Sequence, residues 1–597
     1  MAASNSITIN SGGCTVNRTA ENGKCINGEL PSEIPETEYL IVGAGPAGAS
    51  DEGDYDKFSP GDRKYSTGAY NKHGSFSLAG EEYARIYSWG NDPKRKGDYE
   101  SASPCSPVDL PQTLLEPVLI RYATIHGFTV RFDTTFLSFT EDLNTGLITT
   151  TIEDNLSKLQ YKVRTKYLFG ADGARSKIVK QLNLPLSIKS GQGLAINVLV
   201  KADLSHLIKH RQGNLHWVMQ PDRDHPDFGW MGIVRMVKPW YEWMFILFPT
   251  PDFNPSTEPS TEQYIKRVKD FIGDDSIPVE ILDISRWYIN EIVAETYSQG
   301  NVFCLGDAVH RHPPMNGLGS NTCIQDAFNL AWKIAYVSRG LAKPSILSTY
   351  STERQPVGHS IITRANQAFR DHSDIWKAVG ILPNDLTTRK KLLAEMSSPC
   401  PAGIMRRKAF QKAILHTSHE FHGLGIEMGQ RYTSAAIYDA DEEKQYIPCE
   451  RVQEDPVLYH DPNTYPGSRL PHVWLNKAIP GNPTSTIDLS GHGNFTLFTG
   501  IGGEAWVEAA KSVTEDLGVT VNAYSIGFRQ DWEDVYFDWE RLRGVEESGA
   551  VLVRPDRFVA WRAQKASAGV MECEYKLREV MRHILGYTAA RRLVNGV

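Results

Sequence analysis

The sequence has no long apolar segment, no surplus of positive charge and no closely spaced cysteine pairs. Its 597 residues carry a net charge of −8, so no overall basic field favours nucleic acid as a partner. No stretch is apolar and long enough to span a membrane, and the N-terminus lacks the apolar core of a signal peptide. The eight cysteines are dispersed without CxxC or metal-ligand spacing, which predicts a cytoplasmic protein without a metal site. Small molecules are therefore the expected partners.

The composition provides enough apolar material for several globular domains. Apolar residues make up 41% of the chain and charged residues 22%, which is ordinary for a globular protein. Residues 1–35 are rich in Ser, Asn, Thr and Gly and are predicted to form a disordered tail. Beyond them, segments with alternating apolar residues are interspersed with segments of helical periodicity, such as 113–125. The fold class predicted is mixed α/β.

A glycine-rich turn near the start lacks the structure that normally follows it. An apolar strand ending at Val42 runs into Gly43, Gly45 and Gly48, the order found in a dinucleotide-binding βα turn. Residues 49–78 then carry clustered acids and few large apolar side chains, where a crossover helix and a second hydrophobic strand are expected. The first βαβ unit is therefore predicted to be incomplete.

Two further motifs follow, and a sheet is predicted between them. Residues 170–176, GADGARS, form a strand end, a turn and a helix start, and residues 306–321 read GDAVHRHPPMNGLGSN before a long amphipathic helix. Residues 191–290 contain several aromatic-rich strands and one helix near 260–273. They predict a large sheet inserted between two cofactor-binding pieces.

The order and separation of these three motifs resemble the single-component flavin-dependent aromatic hydroxylases, specifically the phenol 2-monooxygenase and chlorophenol monooxygenase family. The resemblance runs from about Ala79 to the C-terminus. It implies a Rossmann-like FAD-binding domain, an inserted β-sheet substrate domain and a C-terminal thioredoxin-like domain, which has no CxxC and so receives a packing or dimerisation role. The domains expected are a tail at 1–35, FAD-binding parts at 36–190 and 291–375, the inserted sheet at 191–290, a helical connector at 376–469 and the thioredoxin-like domain at 470–597.

The resemblance also implies the cofactor site. A glycine-rich loop at a helix N-terminus presents backbone N–H groups and a positive dipole end, which suits the negative charge of reduced flavin. Asp307 is expected to accept hydrogen bonds from the sugar or ribityl hydroxyls. Gln112 matches a position that contacts flavin, and an ordinary surface role on its helix is an equal alternative. The implied FAD-binding residues are Gly43, Gly45, Gly48, Gln112, Asp172, Gly173, Gly306, Asp307, Ala308, Pro314, Gly317, Leu318, Gly319 and Asn321.

In the implied reaction NAD(P)H reduces FAD and one oxygen atom of O2 is transferred to an electron-rich ring carbon of a phenolic compound, including a secondary metabolite. Because a phenol reacts better as phenolate, a base or cation near its oxygen would help. Arg235 and His216 of the inserted sheet are the candidates for this catalytic role, with a structural role as the alternative for each. His310 and His312 resemble a metal pair, but no third ligand is evident, which favours packing beside the cofactor.

Several alternatives stay open at this point. The flavin could support epoxidation or Baeyer–Villiger oxidation of a polyketide, whereas a halogenase is disfavoured because no WxWxIP-like motif is present. A non-catalytic or FAD-impaired relative that acts by association would explain the unusual segment 49–78. That segment itself has two explanations, an incorrect gene model that lost coding sequence or a genuine product with weakened FAD binding.

Overall fold

The computed structural model describes residues 6–10, 13–14, 34–43, 67–68, 72–105, 108–189, 193–211, 213, 215–567 and 569–587. Its strands of four or more residues, together with the short central strand β15, are β1 (Ser6–Asn10), β2 (Glu36–Val42), β3 (Lys72–Ser75), β4 (Glu82–Ile86), β5 (Thr134–Glu141), β6 (Ile148–Asp154), β7 (Gln160–Gly170), β8 (Leu186–Lys189), β9 (Leu194–Lys201), β10 (Leu215–Met219), β11 (Met231–Lys238), β12 (Glu242–Phe248), β13 (Glu280–Tyr288), β14 (Glu291–Ala294), β15 (Val302–Cys304), β16 (Phe495–Thr499), β17 (Val521–Ser525), β18 (Ala550–Val553) and β19 (Val559–Ala563). Two-residue strands lie at Gly13–Cys14, Thr67–Gly68, Val108–Asp109, Thr129–Val130, Ser298–Gln299, His310–Arg311, Trp474–Leu475 and Thr484–Ser485.

The long helices are α1 (Gln112–Ile125), α2 (Thr261–Ile272), α3 (Gly319–Ser338), α4 (Ser348–Val379), α5 (Leu386–Ser397), α6 (Pro401–His416), α7 (Glu504–Leu517) and α8 (Val570–Ile584). Short helices lie at Lys96–Glu100, Lys177–Leu182, Ser205–Ile208, Ser418–Phe421, Leu424–Met428, Glu450–Glu454 and Asp538–Leu542, and 3-10 turns at Gly173–Arg175, Gly306–Ala308, Met315–Gly317 and Pro344–Leu347. Within the described ranges, no helix combines the length and apolar character needed to cross a membrane. The mixed α/β class predicted from the sequence is confirmed.

The first sheet has a parallel core in the order β15, β7, β2, β1. Gly170 at the end of β7 lies opposite both Val42 at the end of β2 and Cys304 at the end of β15. The three sequence motifs follow these three strands directly, so their loops leave the sheet at one edge. Strands β5 and β6 extend the sheet as an antiparallel addition beyond β7.

The beginning of the chain differs from the prediction of a disordered tail at 1–35. Ser6–Asn10 forms β1, which pairs in parallel with β2 and with Thr129–Val130. The segment alternates Ile and Thr, residues with high strand propensity, and it covers an edge of β2 that would otherwise be unpaired. A strand from residues 6–10 therefore lies beside β2. Residues 15–33 and 44–66 lie outside the described residues, so the predicted incomplete βαβ unit stays a prediction.

The second sheet has the strand order β13, β9, β12, β11, β10, β3, β4. It extends the predicted inserted sheet, because β3 pairs in parallel with β10 although it lies far earlier in the chain. Helix α2 confirms the helix predicted near 260–273: the Ser260 hydroxyl accepts from the Gln263 N–H at its start, and Gly273 ends it at φ +81°. One face of the sheet packs on α2 and the other on helix α4, as Phe271 and Phe369 in the two apolar clusters show.

The C-terminal sheet has the order β17, β16, β18, β19, with β16 and β17 parallel and the other pairs antiparallel. Helix α7 connects β16 to β17 and packs with α8 into one apolar cluster. This is the thioredoxin-like arrangement that the sequence predicts. The domain limits given above at 190, 290, 375 and 469 stay predictions.

Candidate active site

The cofactor loops meet at the carboxyl edge of the parallel sheet, which is where open α/β sheets bind their ligands. The Ala171 N–H donates to the carbonyl of Val42 at 2.8 Å, and the Leu305 N–H donates to Gly170 at 3.0 Å. Gly43 has φ +114°, and a Cβ on it would lie 2.0 Å from the Ala171 oxygen. The structure therefore brings the first two motifs into direct backbone contact. Gly45 and Gly48 lie outside the described residues.

Asp172 has one oxygen engaged and one available. Its Oδ2 accepts from the Lys177 N–H at 2.8 Å, at the start of the short helix that follows. Its Oδ1 is buried and has no hydrogen-bond partner among the described residues. A buried carboxylate oxygen needs a donor, and the sugar or ribityl hydroxyls of FAD would provide one. Gly173 follows Asp172 at φ +73°, and no atom lies within 4 Å of the position that a Cβ on it would occupy.

The third motif forms two tight turns. Gly306 is buried at φ +61° and opens the first turn, which leaves the Asp307 side chain exposed and Ala308 buried. In the second turn Asn316 and Gly317 follow each other at φ 63° and φ 68°. Two successive left-handed residues turn the chain sharply into helix α3, so the positive end of this 20-residue helix lies beside the exposed Pro314 and Gly317.

Side chains lock this second turn in place. Asn316 Nδ2 donates to the carbonyls of His419 at 2.8 Å and Glu420 at 3.0 Å. Asn321 Nδ2 donates to the Gly317 carbonyl at 2.9 Å, while Leu318 is buried at the helix start and Gly319 is its first residue. Asn321 thus supports the loop from within. The residues present fit a dinucleotide cofactor, because glycines allow close approach and an orphaned acceptor awaits a donor.

The side chains of Gln112, His310 and His312 each contact another group of the protein. Gln112 is exposed at the first position of α1, where its Nε2 donates to Glu116 at 2.6 Å. His310 Nε2 lies 2.8 Å from Asp326 Oδ2, and His312 Nδ1 contacts the Pro313 carbonyl at 2.7 Å. Burial lowers the pKa of His312. No cluster able to hold a metal ion occurs among the residues that the structure describes.

Arg235 and His216 lie on opposite faces of the second sheet. Arg235 pairs with Leu215, on the face that packs against α4, whereas His216 pairs with Val234, on the face that packs against α2. Because side chains alternate along a strand, the two cannot serve one substrate. Only Arg235 is on the face toward the cofactor loops, where Met315 belongs to the same apolar cluster.

This face also holds an apolar cavity that the sequence did not indicate. Next to it, His372 is buried and its Nε2 lies 2.7 Å from Glu420 Oε2, while its ring stacks on Trp217 at 4.1 Å. Since the Glu420 carbonyl also accepts from Asn316, the pair is tied to the cofactor loop. The signal that could have identified this pair is a histidine and a glutamate at buried positions of two separate segments. The cavity is lined by Tyr83, Ile86, Trp217, Met219, His372 and Ile375, among others.

Asp326 is a second residue whose role the sequence did not reveal. It is fully buried on α3, and its Oδ2 accepts from the Gly306 N–H at 3.1 Å as well as contacting His310. Arg354 Nε donates to its Oδ1 at 2.8 Å. Burial raises the pKa of Asp326, but the charges of Arg354 and His310 outweigh it and lower the pKa overall. An acid on the buried face of an amphipathic helix could have flagged it.

Three loops at the carboxyl edge of a parallel sheet, next to a second sheet, form the arrangement of an enzyme that binds a dinucleotide cofactor. The FAD binding domain family matches residues 62–365, and the C-terminal domain of aromatic-ring hydroxylases matches residues 463–588. The chain belongs to the FAD-dependent aromatic-ring hydroxylases, and it is a flavin-dependent aromatic monooxygenase with FAD as its cofactor and NAD(P)H as the co-substrate of its class.

Similar proteins cover most of the chain. It is 44% identical to 2,4-dichlorophenol 6-monooxygenase of Cupriavidus pinatubonensis, over 86% of this chain and 84% of that protein. It is 40% identical to phenol 2-monooxygenase of Pseudomonas sp. strain EST1001, over 82% and 78%. The crystal structure of the flavin-dependent monooxygenase PieE in complex with FAD and substrate aligns with a TM-score of 0.84 at 35% identity, over 94% of this chain and all of that one.

Proposed function

We propose that the protein hydroxylates phenolic compounds at the ring carbon next to the hydroxyl group. The names of its similar proteins support this choice, because positions 2 and 6 of a phenol both adjoin the carbon that bears the hydroxyl. Nothing in the comparisons favours epoxidation, Baeyer–Villiger oxidation or a non-catalytic role. The substrate is therefore a phenol and the product a catechol.

The observation that carries this proposal is the apolar sheet face beside a buried acid–base pair, with a small cavity of about 20 Å³ between them that has to widen to admit a phenol. Trp217 and Met219 offer an aromatic ring an apolar surface, and they share one cluster with Met315 of the cofactor loop. His372 lines the same cavity, with Glu420 at 2.7 Å to stabilise its protonated form. His372 can therefore accept the phenol proton and increase the electron density of the ring.

The cofactor residues receive separate roles. When bound, FAD supplies the redox chemistry that activates O2. Asp172 and Asp307 accept hydrogen bonds from its hydroxyl groups, and the N-terminus of α3 stabilises negative charge on it. Arg235 lies on the sheet face that also bears the cavity, and its positive charge favours the negatively charged form of the substrate oxygen. The proposed contacts to FAD are made by Gly43, Asp172, Gly173, Gly306, Asp307, Ala308, Pro314, Gly317, Leu318, Gly319 and Asn321.

We also propose a cytoplasmic homodimer. The dispersed cysteines of the sequence are compatible with a reducing compartment, and the C-terminal domain offers exposed apolar side chains such as Phe528, Tyr536 and Phe537. The molar mass measured by light scattering would test the dimer.

Purified protein supplied with FAD and a panel of phenols tests the proposed function. NADPH and O2 consumption should rise with a phenol present, and mass spectrometry should detect a catechol with one added oxygen atom. Oxygen consumption that no phenol stimulates, without a hydroxylated product across the panel, would contradict the substrate class.

A further inference from the structure

A buried ionic cluster joins the C-terminal domain to helices α3 and α4. Arg554 donates to both carboxylate oxygens of Glu353, at 2.6 and 2.8 Å, and its Nε donates to Asp556 at 2.9 Å. Lys333 Nζ lies 2.7 Å from the same Glu353 carboxylate. Asn329 Nδ2 donates to Glu353 at 2.7 Å and to Asp556 at 3.0 Å. Two cations thus balance two carboxylates, and every member is almost fully buried.

The next residue of α4 is connected to the cofactor loop through Asp326 of α3. Arg354 Nε donates to Asp326 Oδ1 at 2.8 Å, and Asp326 Oδ2 accepts from the Gly306 N–H at 3.1 Å. Gly306 immediately precedes Asp307, the residue proposed to bind FAD. Of two adjacent residues of α4, Glu353 therefore contacts the C-terminal domain and Arg354 contacts Asp326, which holds the cofactor loop.

A second contact reaches the same arginine. Arg354 Nη1 lies 2.9 Å from the Tyr432 hydroxyl, and the Tyr432 ring stacks on Phe558 of the C-terminal domain with centroids 3.9 Å apart. Both routes from the C-terminal domain therefore end at Arg354. Because all these groups are buried, their partners cannot be replaced by water without cost, and a change at Arg554 is transmitted to neighbours in the network.

We infer that Arg554 is a positioning residue for FAD, through which the thioredoxin-like domain fixes the loop Gly306–His310. The inference rests on FAD binding by this loop, and it assigns to the C-terminal domain a role in cofactor binding. Arg554 is fully buried, and its guanidinium is engaged by Glu353 and Asp556. It holds Glu353, and thereby the segment of α4 from which Arg354 reaches Asp326.

Hydrogen exchange tests this inference independently of FAD. In the FAD-free full-length protein, Arg554→Lys should accelerate amide exchange of the peptide that contains Gly306, because lysine keeps the charge but loses the two-point contact with Glu353. Arg562→Lys is the matched control. Arg562 belongs to the same domain as Arg554 and makes a similar two-point contact with Glu442 of the helical connector, at 2.7 Å for both bonds. The control should leave that peptide unchanged. Equal acceleration in both variants, or in neither, would overturn the inference.

FAD affinity provides the second measurement. Fluorescence titration should show FAD binding weakened by about fivefold or more in Arg554→Lys, and by less than about twofold in Arg562→Lys. Combining Arg554→Lys with Asp326→Asn should give a smaller loss than the product of the two single losses, since both act through Arg354. Independent, multiplicative losses would refute the connection. The absence of hydroxylated products would contradict the proposed function and leave both measurements intact.

Discussion

Gly43 lies so close to Ala171 that a Cβ on the glycine would be 2.0 Å from the alanine carbonyl oxygen. Two strands separated by more than a hundred residues in sequence thus meet at a point where only a hydrogen fits. The contact explains why a glycine is needed there, independently of any ligand. It also places the turn after β2 against the turn that contains Asp172.

Gly43→Ala is expected to destabilise the cofactor domain by about 3 kcal/mol or more, because it combines an unfavourable positive φ with a backbone clash. Thermal unfolding of the variant should begin at a distinctly lower temperature. Gly127→Ala is the matched control, since Gly127 also has a positive φ, +94°, but nothing within 4 Å of the added Cβ. The control should lose only about 1–2 kcal/mol. Equal losses would show that the contact with Ala171 is unimportant.

Asp307→Ala should weaken FAD binding at least about tenfold, the scale of a lost charge-assisted hydrogen bond of about 1.5–3 kcal/mol. Asp307→Asn keeps an acceptor, so its FAD affinity should lie between those of Asp307→Ala and the parent protein. Asp283→Ala removes an exposed acid from the far edge strand β13 and should leave the affinity unchanged. Fluorescence titration with FAD measures all three, and an unaltered affinity in Asp307→Ala would rule out this residue as a ligand.

Glu427 should make stability depend on pH. Burial raises its pKa to about 7, opposed by the charge of Arg95. The folded state therefore keeps a proton that the unfolded state releases near pH 4.5, so this stability is present below pH 4.5 and is lost as the pH rises to about 7. Glu427→Gln should raise the unfolding free energy at pH 8 by up to about 3 kcal/mol.

Thermal unfolding at pH 5 and pH 8 checks this prediction. The gain in Glu427→Gln should be small at pH 5 and large at pH 8, whereas Glu443→Gln, at an exposed position, should match the parent protein at both values. A constant difference between the two pH values would mean that Glu427 is not protonated in the folded protein near neutral pH.

His372→Gln should lower the hydroxylation rate by about 100-fold while FAD binding stays the same, because the variant loses the proposed proton acceptor. The loss should shrink as the pH approaches the pKa of the phenol, since the substrate then ionises without help. His419→Gln is the control: His419 also pairs with an acid, Asp455 at 2.7 Å, but does not line the cavity. A loss that is equal at every pH would argue for a structural role of His372.

The sequence predicted the parts of the site that depend on local backbone geometry. Gly306, Gly317 and Gly173 lie at positive φ in turns after strands, and turns of that kind have recognisable residue patterns. It could not predict contacts between distant segments. The Glu353–Arg554 pair spans 201 residues. The opposite facing of Arg235 and His216 depends on the register between two strands, which the turn that joins them sets together with the apolar pattern of each strand. The strand Ser6–Asn10 was not predicted for the same reason, because its partner β2 is distant in sequence.

A chimera tests whether residues 49–78 weaken FAD binding, by comparison with the chain as written. In the chimera a crossover helix, a second strand and an arginine-bearing turn from a similar hydroxylase replace these residues. Clustered acids beside a pyrophosphate would repel it, so the chimera should bind FAD more tightly. A hundredfold excess of FAD over its Kd stabilises a folded protein by about 2.7 kcal/mol. At the same FAD concentration the chimera, with its lower Kd, should therefore gain more melting temperature than the chain as written.

The transcript across codons 45–85 separates the two explanations of this segment. If a transcript sequenced across codons 45–85 contains the missing coding sequence, the weak response belongs to an incorrect gene model, and the natural protein should behave like the chimera. If the transcript agrees with the sequence as written, weak binding is a property of a genuine FAD-impaired protein. A chain as written that gains as much thermal stability from FAD as the chimera would show that acids near the first glycine turn are tolerated, with β1 completing the sheet in place of the usual second strand.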